Sequence, residues 1–307
     1  MATIAPERPA APAPAEANAI SGAPRRNMAS KVVAAVGRPL VQVMLALIAL
    51  FWLVPTFGLL VASLRPESDN ASSGWWKVFT APSQLTLDNY QTLLENNDIV
   101  QSFTNTVLIT VPSTLLVIII GSMASYALAW MEFPFRDWIF IAAIGMLVVP
   151  IQVALIPIAS LFGDIGIFGS IVGVVLFHVA FGLPFAIFLL RNFFAGIPRD
   201  LLEAARMDGA SEWYIFTRVI IPLGLPAIAS LGIFQFLWVW NDLLVALIFT
   251  GPDSQPLTVY LASQTRQFGS SIDLLASGSF ISLIVPLVVF FSFQRFFVQG
   301  VMAGSVK

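Results

Sequence analysis

Long apolar runs separated by short polar stretches organise most of this chain. Six runs are long enough to cross a bilayer at about 1.5 Å of rise per residue. They fall near Leu40–Ser63, Phe103–Met131, Trp138–Phe162, Gly169–Leu190, Pro226–Phe249 and Ser277–Val298. The pattern predicts an all-α membrane protein with six transmembrane helices. Prolines recur inside the runs, at Pro55, Pro112, Pro150, Pro157, Pro184 and Pro286. In a bundle, neighbouring groups satisfy the carbonyls that proline frees, so kinked spans are expected. Ahead of the first run, residues 1–38 are Ala/Pro-rich without apolar periodicity, which predicts a disordered tail. That tail shows no apolar stretch with a cleavage site, so no cleaved signal peptide is expected. Residues 39–307 then form one transmembrane domain. Its largest outer loop, 64–102, contains "LTLDNYQTLLENND". Thr86 or Asp88 is placed to cap a short helix there, with Tyr90, Leu93 and Leu94 on one face.

One polar block interrupts this pattern. Between Arg191 and Arg218 lie eight of the chain's 32 charged residues (15 basic plus 17 acidic). "GIPRDLLEAARMDGASEWYIFTRVIIPLGLP" reads as two short helices within a loop spanning 191–225. Pro198 suits a first helical turn, and Asp200 and Glu203 suit the positive helix N-terminus. Gly209 fits a left-handed C-terminal turn, and Ser211 is placed to cap the second helix, which should stop before Pro222 or Pro226. A helix of about ten residues is marginal alone, so it must pack on something. Leu201, Leu202 and Ala205 offer an apolar stripe. Glu203 and Arg206 stand one turn apart and suit pairing with each other or with a partner.

Composition narrows the chemistry. The chain is 58% hydrophobic and 10% charged, with a mean hydropathy of +0.87. It has no cysteine, which rules out disulfides and thiolate metal sites. Its single histidine, His178, rules out two-histidine zinc motifs. The net charge of −2 comes without a basic stripe, so no nucleic-acid partner is expected. Lys31, Lys77 and Lys307 follow Ser30, Trp76 and Val306, so no Gly-Lys phosphate-binding loop can be written. Any ATP and Mg must be held by another chain, and no catalytic residue, cofactor site or metal site is expected in this one. Basic residues set orientation. With the N-terminus inside, Arg25, Arg26, Lys31, Arg38, Arg136, Arg191, Arg199, Arg206, Arg218, Arg295 and Lys307 are cytoplasmic, against only Arg65, Lys77 and Arg266 outside. Both termini are therefore expected in the cytoplasm of a plasma (inner) membrane protein.

One acid, Asp242, falls within an expected span. An intramembrane carboxylate is costly and should face a cavity or a partner. Gln235, Trp238 and Asp242 share a helical face that Phe234 and Asn241 overlap. Aromatic surfaces beside amide and carboxylate groups suit a sugar, which presents apolar C–H faces and many hydroxyls. Packing against a partner, or hydrogen bonds between helices, would explain the same residues. Gln152 and His178 are weaker pathway candidates. No Lys or Arg lies deep within a span, so a neutral substrate fits better than an anion. An ion-coupled secondary transporter using Asp242 is the alternative. It leaves the 191–225 block without a role and expects inverted repeats that are not visible. A scaffold without its own path is a third reading.

"EAARMDGASEWYIFTRVIIPLGLP" resembles the EAA motif of ABC importer permeases: EAA, three residues, Gly, then a closing Ile-x-Leu-Pro element. Glu203, Ala204, Ala205 and Gly209 match it, while Val219-Ile220-Ile221-Pro222 keeps only the proline and the apolar character. "LPFAIFLLRNFFAGIPRDL", "FLWVWNDLLVALIF" and "FFVQGVMAGSVK" resemble the fourth span, fifth span and C-terminal tail of carbohydrate permeases of the maltose, trehalose and α-glucoside group, the tail being that of the smaller maltose-type subunit. The resemblance covers residues 40–307. It implies a cytoplasmic EAA coupling-helix loop, in which Glu203, Ala204, Ala205, Arg206 and Gly209 serve docking to an ATPase. It implies that the tail 299–307, beginning at Gln299 and Gly300, reaches between two ATP-binding cassette subunits. It further implies a second, larger permease subunit and an external substrate-binding protein, importing a neutral di- or oligosaccharide by ATP-driven alternating access.

Overall fold

The computed structural model describes the backbone of residues 28–267 and 272–303, with side chains over 39–264 and 272–295. It divides into two units, one up to Phe57 and one from Gly58 onward. Up to Phe57 the chain is helical from Met28, within helix α1 (Met28–Ser63). The sequence reading ends the disordered tail at 38. The helix instead begins at Met28, because "MASKVVAAVGR" is rich in residues that tolerate helix and holds no proline. Residues 1–27 lie outside the described set.

The second unit is helical throughout its described regular structure apart from one isolated bridge, Gly169 to Thr250. After α1, α2 (Glu67–Ser72) and α3 (Asp88–Glu95) fold around Arg65. Its fully buried guanidinium donates to the carbonyls of Asp69 (2.9 Å), Ser73 and Gly74 (both 3.2 Å) and to the Ser73 hydroxyl (2.7 Å). Arg65 therefore organises the loop. Thr86 Oγ1 accepts from the Asp88 N–H at the start of α3, and Asn89 and Leu93 face inward. Leu94 is exposed, so the inward face is narrower than the sequence pattern suggests.

The long spans are α4 (Asn97–Trp130), α7 (Ile171–Phe194), α10 (Ile221–Trp240) and α13 (Ile272–Ala303), and α4 packs along α7. Asn96 caps α4, accepting from the N–H groups of Asp98 and Ile99. A row of small hydroxyl residues on α4, including Ser102, Thr106, Thr110, Ser113, Ser122 and Ser125, is buried against the neighbouring helices. Small polar residues allow close approach of helices where lipid offers no hydrophobic drive for it.

Two expected spans differ from their sequence boundaries. The third, Trp138–Phe162, is not one helix. It is α5 (Arg136–Met146) and α6 (Ile151–Asp164), bent by 101°. Pro150 lies at the break, where it lacks an N–H and biases its predecessor away from helix. The fifth is shifted toward its N-terminus. The second short helix of the polar block does not stop before Pro222. α9 (Glu212–Ile215) passes through a π turn over Phe216–Ile220 directly into α10. The Ile221 N–H reaches five residues back to the Phe216 carbonyl, and this wider turn absorbs the proline that follows. At the other end α10 stops at Trp240, and the expected run to Phe249 resumes only as the separate α11 (Leu244–Phe249). α12 (Leu257–Gln267) then precedes α13.

Candidate functional site

The polar block folds as the tight element that its length requires. α8 (Arg199–Met207) follows Pro198 and turns Leu202 completely inward, at 0% exposure. Leu202 joins Leu190 and Phe194 from the end of α7, Ile197 from the link after it, Tyr126 from α4, and Ile215, Phe216 and Ile220 beyond α8. Full burial of one such side chain stabilises by roughly 1.5–3 kcal/mol, more than the helix can supply from its own backbone. Ala205 packs against the same cluster. Leu201 does not: it is exposed, so the inward stripe is Leu202 and Ala205.

The turn after α8 is a Schellman closure. The Ala210 N–H reaches the Ala205 carbonyl and the Gly209 N–H reaches that of Arg206, both at 3.0 Å. Gly209 has φ of 81°, which a side chain would strain, and nothing else crowds its α-carbon. Ser211 Oγ then accepts from the Tyr214 N–H and caps α9.

The charges pair differently from the simplest reading. Glu203 does not meet Arg206. It accepts from Arg199 Nε at 2.9 Å, one turn back on the same exposed face. Arg206 turns the other way and grips Glu212 with two bonds, Nε to Oε1 at 2.9 Å and Nη2 to Oε2 at 3.2 Å. That contact holds the Arg206 guanidinium above its usual pKa, chiefly through the hydrogen bonding to Glu212. Glu212 Oε2 also accepts from the hydroxyl of Tyr126, which sits near the end of α4. Asp200, Glu203, Ala204 and Met207 thus form the open side of α8, with Met207 88% exposed. Trp213 and Tyr214 extend the exposed surface. Sequence reasoning missed Tyr126 and the role of Glu212. The one available signal was that Tyr126 is the single tyrosine inside an expected span.

The expected pathway residues separate. Gln235 is buried, and its amide fills space that Gly182 leaves open: a Cβ on Gly182 would lie 2.8 Å from both amide atoms. Asp242 lies beyond the end of α10, where its carboxylate accepts from the N–H groups of Val245 (3.3 Å) and Ala246 (2.9 Å) at the start of α11. His178 is 0% exposed, and its Nε2 lies 3.6 Å from Asp242 Oδ2. Thr106, Thr110, His178 and Asp242 help line a cavity of about 10 Å³, roughly enough for one water and far too small for a sugar. Trp238 sets its ring edge-on to His178 at 5.1 Å and is partly exposed. Asn241 is exposed and bonds to the Leu237 carbonyl of its own helix. Phe234, Trp238 and Asn241 therefore share the open side of α10, while Gln235 and Asp242 face the bundle. Gln152 is exposed in the first turn of α6, beside the 101° bend. Gln299 and Gly300 lie in the helical backbone of α13, but their side chains fall outside the described set, as do residues 304–307 altogether. Among the described residues no group of His, Cys, Asp and Glu is arranged to hold a metal.

Residues 97–303 match the family described as binding-protein-dependent transport system inner membrane component. The chain is 47% identical over 272 residues to the osmoprotective compounds uptake permease protein GgtD of Synechocystis sp., covering 87% of this chain and 91% of that one. It is 47% identical over 235 residues to the alpha-glucoside transport system permease protein AglG of Rhizobium meliloti, covering 74% of this chain and 62% of that one. Its fold is similar to a solved chain of a bacterial ABC transporter involved in import of the acidic polysaccharide alginate. The TM-score is 0.74 at 22% identity, with 88% and 98% of the two chains covered.

Proposed function

The chain belongs to the inner membrane components of binding-protein-dependent transport systems, and from that premise we propose that it is one permease subunit of an ABC importer for a neutral di- or oligosaccharide. Its partners are a second, larger permease subunit, two ATP-binding cassette subunits that hold ATP and Mg, and an external substrate-binding protein. α8 docks in a cleft of one ATPase with its open face outward, Glu203 and Ala204 leading. The observation that carries this reading is the contrast within α8. One side is locked into the bundle by Leu202 and the Gly209 turn, while on the other Glu203 makes only an exposed pair with Arg199. An exposed pair of that kind stabilises by at most about 1 kcal/mol, so Glu203 is free to exchange Arg199 for a basic group on a partner. Arg206 acts in the same docking indirectly, by fixing the end of α8 to Glu212. The tail from Gln299 reaches the ATPase pair. Relatives named for α-glucoside uptake, for trehalose and for arabinooligosaccharides support the sugar class. The exposed Phe234, Trp238 and Asn241 side of α10 is the part of this chain that meets the sugar path. Both chain ends face the cytoplasm, on the side of Arg136, Arg191, Arg199, Arg206 and Arg218.

Pull-down of the assembled complex with and without Glu203→Lys tests this directly. The unsubstituted chain should retain its ATPase tightly, and the variant should lose at least ten-fold of it with the permease pair intact. Uptake that survives ATP depletion and collapses with the proton gradient overturns the ABC reading in favour of ion coupling.

A further inference from the structure

Besides the apolar seat of Leu202 and the short link from α7, α8 is joined to the bundle by two routes of different kinds. The first is covalent: the Gly209 turn leads through α9 and the π turn into α10 without a break. The second crosses 86 positions of sequence and involves three helices. Arg206, in the last turn of α8, holds both oxygens of Glu212 at the start of α9. Glu212 in turn accepts from Tyr126, which is buried near the end of α4. Two parallel bonds between a guanidinium and a carboxylate fix orientation as well as distance. The Tyr126 ring is equally confined, with the Phe216 ring 5.3 Å away in the π turn. The end of α4 is also tied to α7, since Trp130 Nε1 donates to the Phe194 carbonyl at 3.1 Å.

The loop has supports besides this network. Leu202 and Ile215 are already fully buried, Ser211 caps α9, and the Schellman bonds close α8. What the network adds is a polar tether from α8 to a helix with which it shares no nearby backbone. We propose that Tyr126, Glu212 and Arg206 are positioning residues that carry displacement of α8 into α4, in parallel with the covalent route into α10. The inference rests on the docking role of α8 given above. On that basis one ATPase movement drives two spans together. Cutting the Tyr126 link leaves α10 driven and α4 lagging.

The chain has no cysteine, so single reporters can be introduced without a background in this subunit. Met123 on α4, one turn before Tyr126, and Leu225 on α10 are both 47% exposed. Each is replaced by cysteine in turn and labelled with bimane. The permease is co-expressed with its partner subunits, made cysteine-free, and placed in lipid nanodiscs. Emission is compared before and after trapping with ATP and vanadate. In the otherwise unsubstituted chain both labels should respond. Tyr126→Phe keeps the ring and removes only the hydroxyl, and it should reduce the response at position 123 at least two-fold while position 225 keeps its own. Arg206→Gln changes a half-exposed side chain, provides a second variant should the first fail to assemble, and should give the same split. A full response at 123 in both variants overturns the inference. So does an equal loss at both positions, which marks a general structural role. If neither label responds even without Tyr126→Phe, it is the ATP-driven role of α8 that fails, and the tether falls with it.

Discussion

The charged loop after α7 and the Asp242 region both place charged groups at the ends of helices, yet they solve the problem in opposite ways. In the loop four of the eight charges pair within a few residues: Arg199 with Glu203, Arg206 with Glu212. Apolar burial is concentrated in Leu202 and Ile215. Around Asp242 the polar atoms come from α4, α7 and the break after α10, and several make no hydrogen bond among the described residues. Thr110 Oγ1 and both ring nitrogens of His178 are among them. The first region is held by packing with its charges turned outward. The second is held by close fit, with its polar groups turned inward. Water can adjust an exposed pair, whereas a buried polar group depends on its neighbours' shape.

Leu202→Ala should break the first region with the largest effect. A fully buried leucine replaced by alanine costs about 2–5 kcal/mol, because the cavity relaxes only partly. The purified subunit should show a clearly lower Tm, and α8 should become sensitive to protease. An unchanged Tm would mean that α8 is not held by packing. Gly182→Ala probes the second region and ranks next. The added methyl meets the Gln235 amide at 2.8 Å and Val117 at 2.9 Å, so overpacking of about 1–3 kcal/mol is expected. The Tm should fall while ATPase pull-down is unaffected. A neutral or stabilising result would show that Gln235 moves freely. Arg199→Ala should have the smallest effect, within about 0.5 kcal/mol, since it removes only an exposed pair. A Tm shift comparable to that of Leu202→Ala would remove the contrast between packed and open faces of α8.

The same contrast explains what could be read ahead of the structure. The coupling loop was legible because its signals are local. Proline before the helix, glycine at the left-handed turn and serine at the next cap each act within four residues. The pairing was not, since Arg206 has Glu203 three residues before it and Glu212 six residues after. Spacing favours the nearer acid, but the turn at Gly209 brings the farther one into reach. Asp242 was legible as an acid needing company. That its company is the start of α11 and His178 depends on the helix ending at Trp240.

By itself the sequence determined the membrane class, the number of spans within one and the place of the charged loop that follows the fourth span. All of these follow from run length, composition and short-range pattern. The tertiary structure alone decided the 101° break near Pro150, the π turn that carries α9 into α10, the burial of Gln235 against Gly182, and the Tyr126 tether. Proline marks where a helix is weak without saying whether it bends or widens, because neighbouring helices supply the deciding contacts. A hydroxyl and a carboxylate 86 positions apart leave no periodic trace in the chain. Only the packing of α4 on α7 and the turn after α8 put them in contact.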